Sequence, residues 1–219
     1  MEAFSRAAAK RDEPSGSDFL EAVLRERPDL KGQMAYFPEQ GGCAHTVFIG
    51  DEVFKGPQGW LLCGSDHSYF DREHELLSQL EGHGLPVPKI TCVGKEACFY
   101  GMTRMPGVML SDVLALLGDA ETRALAHDIV DCVVGIAEAL PPKAGMFACH
   151  HDLHTNNIMV DPVTKKLTGI IDFGVFGYAP KEALKNFIYV PFKSLVLAEY
   201  EVAKAKLPDF RAMQPVWDF

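Results

Sequence analysis

The chain has 219 residues, of which 47% are hydrophobic, and its formal net charge at pH 7 is −9. A chain of this length and composition can bury a core in one compact unit, with one lobe or two. The negative charge argues against a broad nucleic-acid-binding surface. No apolar run approaches the length of a membrane span, and the N-terminus lacks the apolar core of a secretory signal peptide. We therefore predict neither nucleic acid nor a membrane as a partner.

The six cysteines and the first 33 residues carry little functional signal. The cysteines form no close pair of the kind that holds a metal, and their apolar neighbours are typical of buried free thiols in a reducing cytosol. Residues 1–33 are predicted to be a tail followed by a short helix, in which Asp18 and Glu21 form the capping box and Pro28 ends the helix. The tail could also be a non-classical export signal, and the sequence does not decide between the two.

Residues 34–105 alternate short apolar runs with turns, which predicts a five-stranded antiparallel sheet and one helix. The helix carries Leu76 and Leu77 on its apolar stripe. A turn containing Gly41 and Gly42 separates the first two strands, and glycines allow backbone N–H groups to approach a phosphate closely. The full Gly-x-Gly-x-x-Gly pattern is absent, so this turn is weak evidence by itself. The predicted strands cover residues 34–37, 46–49, 53–55, 89–93 and 97–102.

Residues 106–219 are predicted to be mainly helical around one β-hairpin. Apolar residues recur at helical spacing on both sides of the hairpin, and its two apolar runs flank a polar turn. The predicted elements are a helical region at 109–140 with Ser111 and Asp112 as caps, hairpin strands at 158–160 and 167–171, and one or two helices within 180–206.

The hairpin positions three oxygen-bearing side chains. Asp152 and Asn157 lie on the loop before its first strand, and Asp172 lies at the end of its second strand, so we expect the three to converge. Carboxylate and amide oxygens are ligands that Mg²⁺ prefers, and waters and phosphates usually complete its coordination. The alternative is a hairpin whose Asp and Asn serve turn formation, beside a histidine that is satisfied in the core.

The order of these residues resembles the catalytic core of the protein-kinase-like fold. The segment from His150 to Asn157 reads His-His-Asp-Leu-His-Thr-Asn-Asn, and Ile-Ile-Asp-Phe-Gly follows and ends at Gly174. It looks most like the aminoglycoside phosphotransferase and choline kinase branch, which usually reads His-Gly-Asp-Leu-His-Pro-Gly-Asn. The resemblance implies an α+β, bilobal fold, with residues 34–105 as the N-lobe and residues 106–219 as a reduced, mainly helical C-lobe.

The resemblance also implies the chemistry of an ATP- and Mg²⁺-dependent kinase. Asp152 would orient and deprotonate the acceptor hydroxyl, because a carboxylate there needs only to be ionised and within hydrogen-bond reach. Asn157 and Asp172 would hold Mg²⁺, which offsets the charge that develops on the phosphates.

The loop also contains three histidines. His150 is grouped with the catalytic residues, and bracing of the loop suits it better than proton transfer. His151 and His154 are predicted to be solvent-side loop residues. A histidine-rich loop could bind a transition metal, but the Asp and Asn at kinase spacing explain more than a zinc site would.

The resemblance implies a nucleotide site in the N-lobe. Lys55 would contact the α- and β-phosphates, and Glu73, or failing that Glu75, would hold the lysine by an ion pair. Backbone groups in the connector between the lobes would bind adenine. The nucleotide-binding residues implied in this way are Gly41, Gly42, Lys55, Thr103 and Met105.

The acceptor is inferred from what the chain lacks. Small-molecule kinases of this branch usually insert helical material around the catalytic loop and extend well beyond Asp-Phe-Gly, whereas here 45 residues follow Gly174. A core this reduced resembles the minimal kinases among bacterial effectors, including those that phosphorylate the host chaperone HSP90 on serine. We therefore predict a monomeric kinase that acts on a protein serine or threonine, cytoplasmic or secreted into a host cell. The alternatives are a small-molecule kinase of the aminoglycoside or choline type and a pseudokinase used as a binding module.

Overall fold

The computed structural model describes residues 15–38, 44–57 and 68–209, which form two compact units. The first unit comprises the described residues before position 58 together with Thr91–Thr103, and the second comprises Ser68–Ile90 and the described residues from Arg104 onward. The predicted boundaries after residues 33 and 105 stay predictions. Within the described ranges, no helix is long and apolar enough to cross a membrane.

The first unit is built on a five-stranded sheet, and the prediction of this sheet is confirmed. The strands lie in the order β1-β2-β3-β5-β4, and the pairs β1–β2, β2–β3 and β3–β5 are antiparallel. Their bounds are Ala35–Tyr36 (β1), Ala44–Ile49 (β2), Glu52–Pro57 (β3), Ile90–Val93 (β4) and Tyr100–Thr103 (β5).

Helix α1 (Gly16–Glu26) packs its apolar side against this sheet. Phe19 and Val23 are fully buried in a cluster with Val47, Phe54 and Phe99. The helix is amphipathic, so burial of one face supplies most of its stabilisation.

The N-cap of α1 differs from the prediction. Ser15 is the N-cap: its side chain accepts a hydrogen bond from the N–H of Asp18, and the Asp18 carboxylate accepts one from the N–H of Ser15 at 2.7 Å. Asp18 is therefore the third helical residue of the capping box, and the predicted pairing with Glu21 is wrong. The helix does end at Glu26, shortly before Pro28, as predicted.

The second unit is mainly helical. Two long helices have buried apolar faces, which include Leu76, Leu77 and Leu80 in the first and Leu125 and Ile129 in the second. The helices of this unit are α2 (Ser68–Leu80), α3 (Leu110–Val113), α4 (Asp119–Ala139) and α5 (Lys193–Ala203), and 3-10 helices cover Leu114–Leu116, Phe173–Val175, Lys181–Phe187 and Lys204–Lys206.

One local prediction in this unit is wrong and another is incomplete. Ser111 and Asp112 do not cap a helix, since α3 begins one residue earlier with Met109 as N-cap and no side-chain capping bond. The region 180–206 contains helices, as predicted: a 3-10 helix comes first and α5 follows. A short strand that was not predicted lies between them and pairs with another part of the chain.

Short strands surround the predicted hairpin. Strand β9 pairs antiparallel with β10, and β6 extends this pair to three strands. Two further pairs are formed by β7 with β11 and by β8 with β12, the latter parallel. The bounds are Val108–Met109 (β6), Phe147–His150 (β7), Leu153–His154 (β8), Ile158–Val160 (β9), Leu167–Ile170 (β10), Phe176–Ala179 (β11) and Ile188–Tyr189 (β12).

Candidate active site

The hairpin β9–β10 is closed by an aspartate turn. Asp161 Oδ1 accepts hydrogen bonds from the N–H groups of Val163 at 2.8 Å and Thr164 at 2.7 Å, and these bonds lower the pKa of the Asp161 carboxyl. Lys165 completes the turn with φ of 59°. Beyond the paired strands, the N–H of Ile171 donates to the carbonyl of Asn157 at 2.9 Å. The start of one strand and the end of the other therefore lie side by side.

His150 is buried at the junction of the loop and the hairpin, with 3% of its surface exposed. Its Nδ1 accepts a hydrogen bond from the N–H of Asp152 at 3.1 Å, and its Nε2 lies 3.0 Å from the carbonyl oxygen of Ile171. Because a carbonyl can only accept, Nε2 carries the proton and Nδ1 does not. The neutral imidazole thus joins the backbone before Asp172 to the backbone of Asp152.

Three carboxylates lie near this imidazole. Burial lowers the pKa of His150, while the negative charges of Asp172, Asp152 and Glu73 act on it in the opposite direction. Burial prevails, so the ring is held neutral. A neutral, doubly hydrogen-bonded histidine is suited to bracing the loop and poorly suited to carrying a proton.

Asp172 adopts a left-handed backbone conformation, with φ of 64° and ψ of 63°. Few non-glycine residues adopt it, although Asp and Asn do so more readily than others. The next residue, Phe173, is fully buried, its ring centre lies 4.8 Å from that of His150, and its N–H donates to Glu73 Oε1 at 3.1 Å. Contacts on both sides of Asp172 thus maintain a conformation that its own backbone disfavours.

Asn157 is also buried, with 5% of its surface exposed. Its Nδ2 donates to the carbonyl of Asp152 at 2.8 Å, which fixes the orientation of the amide. The Oδ1 atom consequently faces away from that carbonyl. Together with the Asp172 carboxylate it supplies the hard oxygen donors that Mg²⁺ prefers, so the residues present fit this ion. Within the described ranges, no group of three or more His, Cys, Asp and Glu side chains is arranged to hold a metal.

Glu73 is the acidic residue that the sequence selected on α2, and it is completely buried. Its bond to the N–H of Phe173 links α2 to the segment that follows Asp172. Lys55 lies on β3 in the first unit, opposite Thr46 on β2 and Tyr100 on β5. The ion pair between Lys55 and Glu73 stays a prediction.

Of the residues predicted to bind the nucleotide, Lys55, Thr103 and Met105 lie within the described ranges. Thr103 is the last residue of β5, and Met105 is half-buried in the second unit. A Cβ at Gly169 would lie 2.6 Å from the end of the Met105 side chain, so the two residues are in close contact. Gly41 and Gly42 lie outside the described residues, and the adenine contacts stay predictions.

His151 is not the solvent-side residue that the sequence suggested. Its ring stacks on that of Phe187, with centres 4.2 Å apart and planes inclined by 12°, and burial lowers its pKa. The Nε2 atom is buried without a hydrogen-bond partner among the described residues. The ring also lies against Gly177, where a Cβ would be 2.5 Å from it. The apolar Phe187, more than thirty residues further along the chain, gave no signal of this contact.

His154 is partly exposed, and its surroundings were also missed. Its Nδ1 accepts a hydrogen bond from the N–H of Asn156 at 3.2 Å, and its Nε2 lies 3.6 Å from Asp152 Oδ2. The N–H of His154 donates to the carbonyl of Asp152 at 3.1 Å, and the closeness of the two residues in the sequence is the only signal for their contact.

Comparison with solved structures identifies the architecture. The streptomycin–ATP complex of the aminoglycoside phosphotransferase APH(2")-IIa matches with a TM-score of 0.64 at 17% identity, covering 88% of this chain and 86% of that one. The GDP complex of aminoglycoside 2'-phosphotransferase-IIIa matches with a TM-score of 0.66 at 16% identity, covering 89% and 88%. The chain has the protein-kinase-like fold of the aminoglycoside phosphotransferases. At such low identity the likeness shows the fold alone, and it confirms the predicted fold class.

Sequence similarity to known phosphotransferases is found in the segment that contains the candidate site. The model of the phosphotransferase enzyme family matches residues 137–181. An aminoglycoside 3'-phosphotransferase of Streptomyces fradiae is 44% identical over 43 residues, which is 20% of this chain and 16% of that protein. The chain therefore matches about one sixth of the length of this curated relative.

Proposed function

We propose that this chain is an ATP-dependent phosphotransferase that transfers the γ-phosphoryl group to a hydroxyl of a small molecule, with aminoglycosides as the first class to test. The observation that carries the proposal is the 43-residue segment of 44% identity to an aminoglycoside 3'-phosphotransferase. Where the loop and hairpin meet, the charges of Asp152 and Asp172 both reach the buried His150.

The comparisons favour the small-molecule acceptor over the predicted protein acceptor. Every relative described above is an aminoglycoside phosphotransferase, and none supports an acceptor such as HSP90. The solved structures are matched over 86% and 88% of their lengths, so chain length does not separate this fold from that of small-molecule kinases. The argument from a reduced core therefore loses its weight.

Asp152 is assigned to the acceptor hydroxyl. About half of its side chain is exposed, so a substrate can reach the carboxylate, while its backbone N–H is fixed by His150. A carboxylate in this position can orient the hydroxyl and accept its proton as the bond to phosphorus forms. His150 would be a positioning residue for Asp152.

Asn157 and Asp172 are assigned to Mg²⁺. When bound, the ion would neutralise charge on the phosphates of ATP. The chain would supply an amide oxygen from Asn157 and a carboxylate from Asp172. The Asn157 amide is oriented by its bond to the Asp152 carbonyl. The backbone of Asp172 is held by the contacts of its neighbours. Such preorganised groups need little rearrangement during the reaction.

The remaining assignments concern ATP. Lys55 would bind the α- and β-phosphates as a point charge, held by Glu73. Gly41 and Gly42 would approach the phosphates through their N–H groups, and the backbone at Thr103 and Met105 would bind adenine. These roles follow from the kinase-like fold and the order of the residues.

The proposal is tested by incubating the purified chain with Mg²⁺ and ATP radiolabelled on its γ-phosphate. One set of reactions contains a panel of aminoglycosides and other small polyols, and a second contains cell lysate. We expect label in a small-molecule product, lost in Asp152→Ala and Asp172→Ala and kept in Asp51→Asn, a matched change at an exposed turn position of the first unit.

The other outcomes separate the alternatives. Label on protein bands that depends on Asp172 would restore the protein acceptor. ATP binding without any transfer would indicate a pseudokinase, and a chain that neither binds nor uses ATP would refute the proposed function.

A further inference from the structure

Two histidines, the last residue of β7 and the last residue of β8, make the same local hydrogen bond. His150 Nδ1 accepts from the N–H of Asp152 at 3.1 Å, and His154 Nδ1 accepts from the N–H of Asn156 at 3.2 Å. A backbone N–H can only donate, and a neutral imidazole has one donor and one acceptor nitrogen. In both rings the proton of the neutral form is therefore on Nε2.

The two Nε2–H groups have different surroundings. That of His150 faces the Ile171 carbonyl, whereas His154 Nε2 lies 3.6 Å from Asp152 Oδ2 and 3.3 Å from Asn157 Nδ2. Asn157 Nδ2 is itself a donor, because it donates to the Asp152 carbonyl at 2.8 Å. The second N–H of Asn157 Nδ2 could donate to Nε2 only if Nε2 carried no proton, whereas the backbone bond to Nδ1 places the proton on Nε2. Of these two neighbours, only the carboxylate can then accept that proton. Its distance is slightly longer than a hydrogen bond, as is common at catalytic sites without substrate.

A local turn at the start of β8 holds this pair together. Leu153 is fully buried between Asp152 and His154 and is paired with the buried Ile188 of β12. The N–H of His154 donates to the carbonyl of Asp152 at 3.1 Å, and this turn brings together the two polar residues that flank Leu153. Their side chains are 46% and 37% exposed, so the pair is within reach of a substrate.

We propose that His154 is a positioning residue for Asp152. Its Nε2–H donates to Oδ2 and fixes the direction of the carboxylate, which leaves Oδ1 to receive the acceptor hydroxyl. The catalytic importance of this contact rests on the proposed function, but the contact itself does not. By this proposal the partly exposed His154 affects kcat and does not contribute to the binding of ATP.

Two substitutions at His154 separate positioning from a purely structural role. His154→Gln can keep a donor near the place of Nε2, whereas His154→Asn can keep an acceptor near the place of Nδ1 and loses the donor. Loss of one hydrogen bond to a charged group predicts that His154→Asn lowers kcat about tenfold. We expect an unchanged KM for ATP and substantial recovery of kcat in His154→Gln. Recovery in His154→Asn instead, or equal rates in both variants and the parent chain, would overturn the inference.

A second measurement does not depend on transfer activity. Nitrogen NMR of the histidine side chains, at about pH 8 where imidazoles are neutral, should show His154 as the Nε2–H tautomer. Its Nε2 resonance should shift in Asp152→Ala and remain in place in Asp161→Asn. An Nδ1–H tautomer, or an Nε2 resonance unaffected by Asp152→Ala, would refute the contact. If the parent chain transferred no phosphate, the proposed function would fail while this arm still decided the contact.

Discussion

Two regions use side chains that accept hydrogen bonds from backbone N–H groups: the anchor of α1 in the first unit, formed by Glu26 and residues 95–97, and the candidate catalytic loop of the second unit, residues 150–157. At the anchor, the Glu26 carboxylate accepts the N–H groups of Lys95, Glu96 and Ala97. In the loop, His150 and His154 each accept one. The same kind of bond ties a helix to a turn in one region and shapes a site in the other.

The two regions differ in how their charges are placed. Next to the anchor, Arg27 pairs with Asp29 and Glu52, and the hydrogen bond to Asp29 is the largest influence that raises the pKa of its guanidinium. Around His150, by contrast, carboxylates gather near a ring that burial keeps neutral. Opposite charges that pair serve stability, whereas like charges held together oppose it and need support from elsewhere. We therefore expect changes at the anchor to affect unfolding and changes in the loop to affect transfer.

The largest effect on transfer is expected from Asp172→Asn. Asparagine tolerates the left-handed backbone, so the fold should persist, with a change in the free energy of unfolding below about 1 kcal/mol. If Asp172 binds Mg²⁺ as proposed, loss of its charge should lower kcat at least about a hundredfold, since such an ion contributes several kcal/mol. Steady-state kinetics and urea unfolding measure the two quantities.

Asp161→Asn is the matched control for this change. Asp161 lies in the same hairpin, and the oxygen that accepts the turn bonds is retained in asparagine. Its kcat should stay near that of the parent chain. Full activity of Asp172→Asn would show that the metal assignment is wrong.

Phe19→Ala is the converse change, on the buried face of α1 in the first unit. Phe19 is fully buried among aromatic rings, including that of Phe99 at 6.5 Å. Truncation of such a side chain costs about 3–5 kcal/mol through lost contacts and the cavity that remains. Urea unfolding should show this loss, and Glu21→Ala on the exposed side of α1 should not. Unchanged stability of Phe19→Ala would mean that the packing of α1 against the sheet contributes little.

A smaller loss of stability is expected from Gly177→Ala in the second unit. The new Cβ would lie 2.5 Å from the His151 ring, which is confined on its face by Phe187. Overpacking of this kind costs about 1–3 kcal/mol. The double variant Gly177→Ala with His151→Gly removes the clash, so the two changes should be strongly non-additive in urea unfolding. Simple additivity would show that the ring moves aside freely.

The sequence was informative where structure depends on nearby residues. The sheet was predicted because glycine and proline turns separate its short apolar runs, and the hairpin that carries Asp172 was predicted for the same reason. The spacing of Asp152 and Asn157 placed both on one loop, because that spacing is itself the geometry of the loop. The roles of these residues stay predictions.

The sequence was uninformative where structure depends on distant partners. Residues 188–189 form a strand only because β8 lies beside them, and their apolar character suits a helix equally well. The stack of His151 on Phe187 has the same origin. The N-cap of α1 was misplaced by three residues because Ser15 and Asp18 are both good caps, and only the backbone decides between them.

The smallest expected effects are on the pH dependence of stability, and they distinguish the two regions. Burial lowers the pKa of His151 below 6.5, its ordinary value. The unfolded chain then binds this proton more readily, so stability is complete above pH 6.5 and falls as the pH decreases toward the lowered pKa. Burial alone would raise the pKa of Glu26, but its three N–H bonds outweigh that effect and lower it below 4.5. Stability from the anchor is therefore complete above pH 4.5 and is lost only at lower pH.

His151→Phe keeps a ring for the stack on Phe187 and removes the titrating group. Urea unfolding followed over pH should show a smaller loss of stability below pH 6.5 in this variant than in the parent chain, whereas Glu26→Gln should change the profile only below pH 4.5. His83→Gln, at an exposed position, is the control. An unchanged profile for His151→Phe would mean that the imidazole is accessible to solvent in the folded chain, because a ring that stays hydrated gains no penalty from its charge.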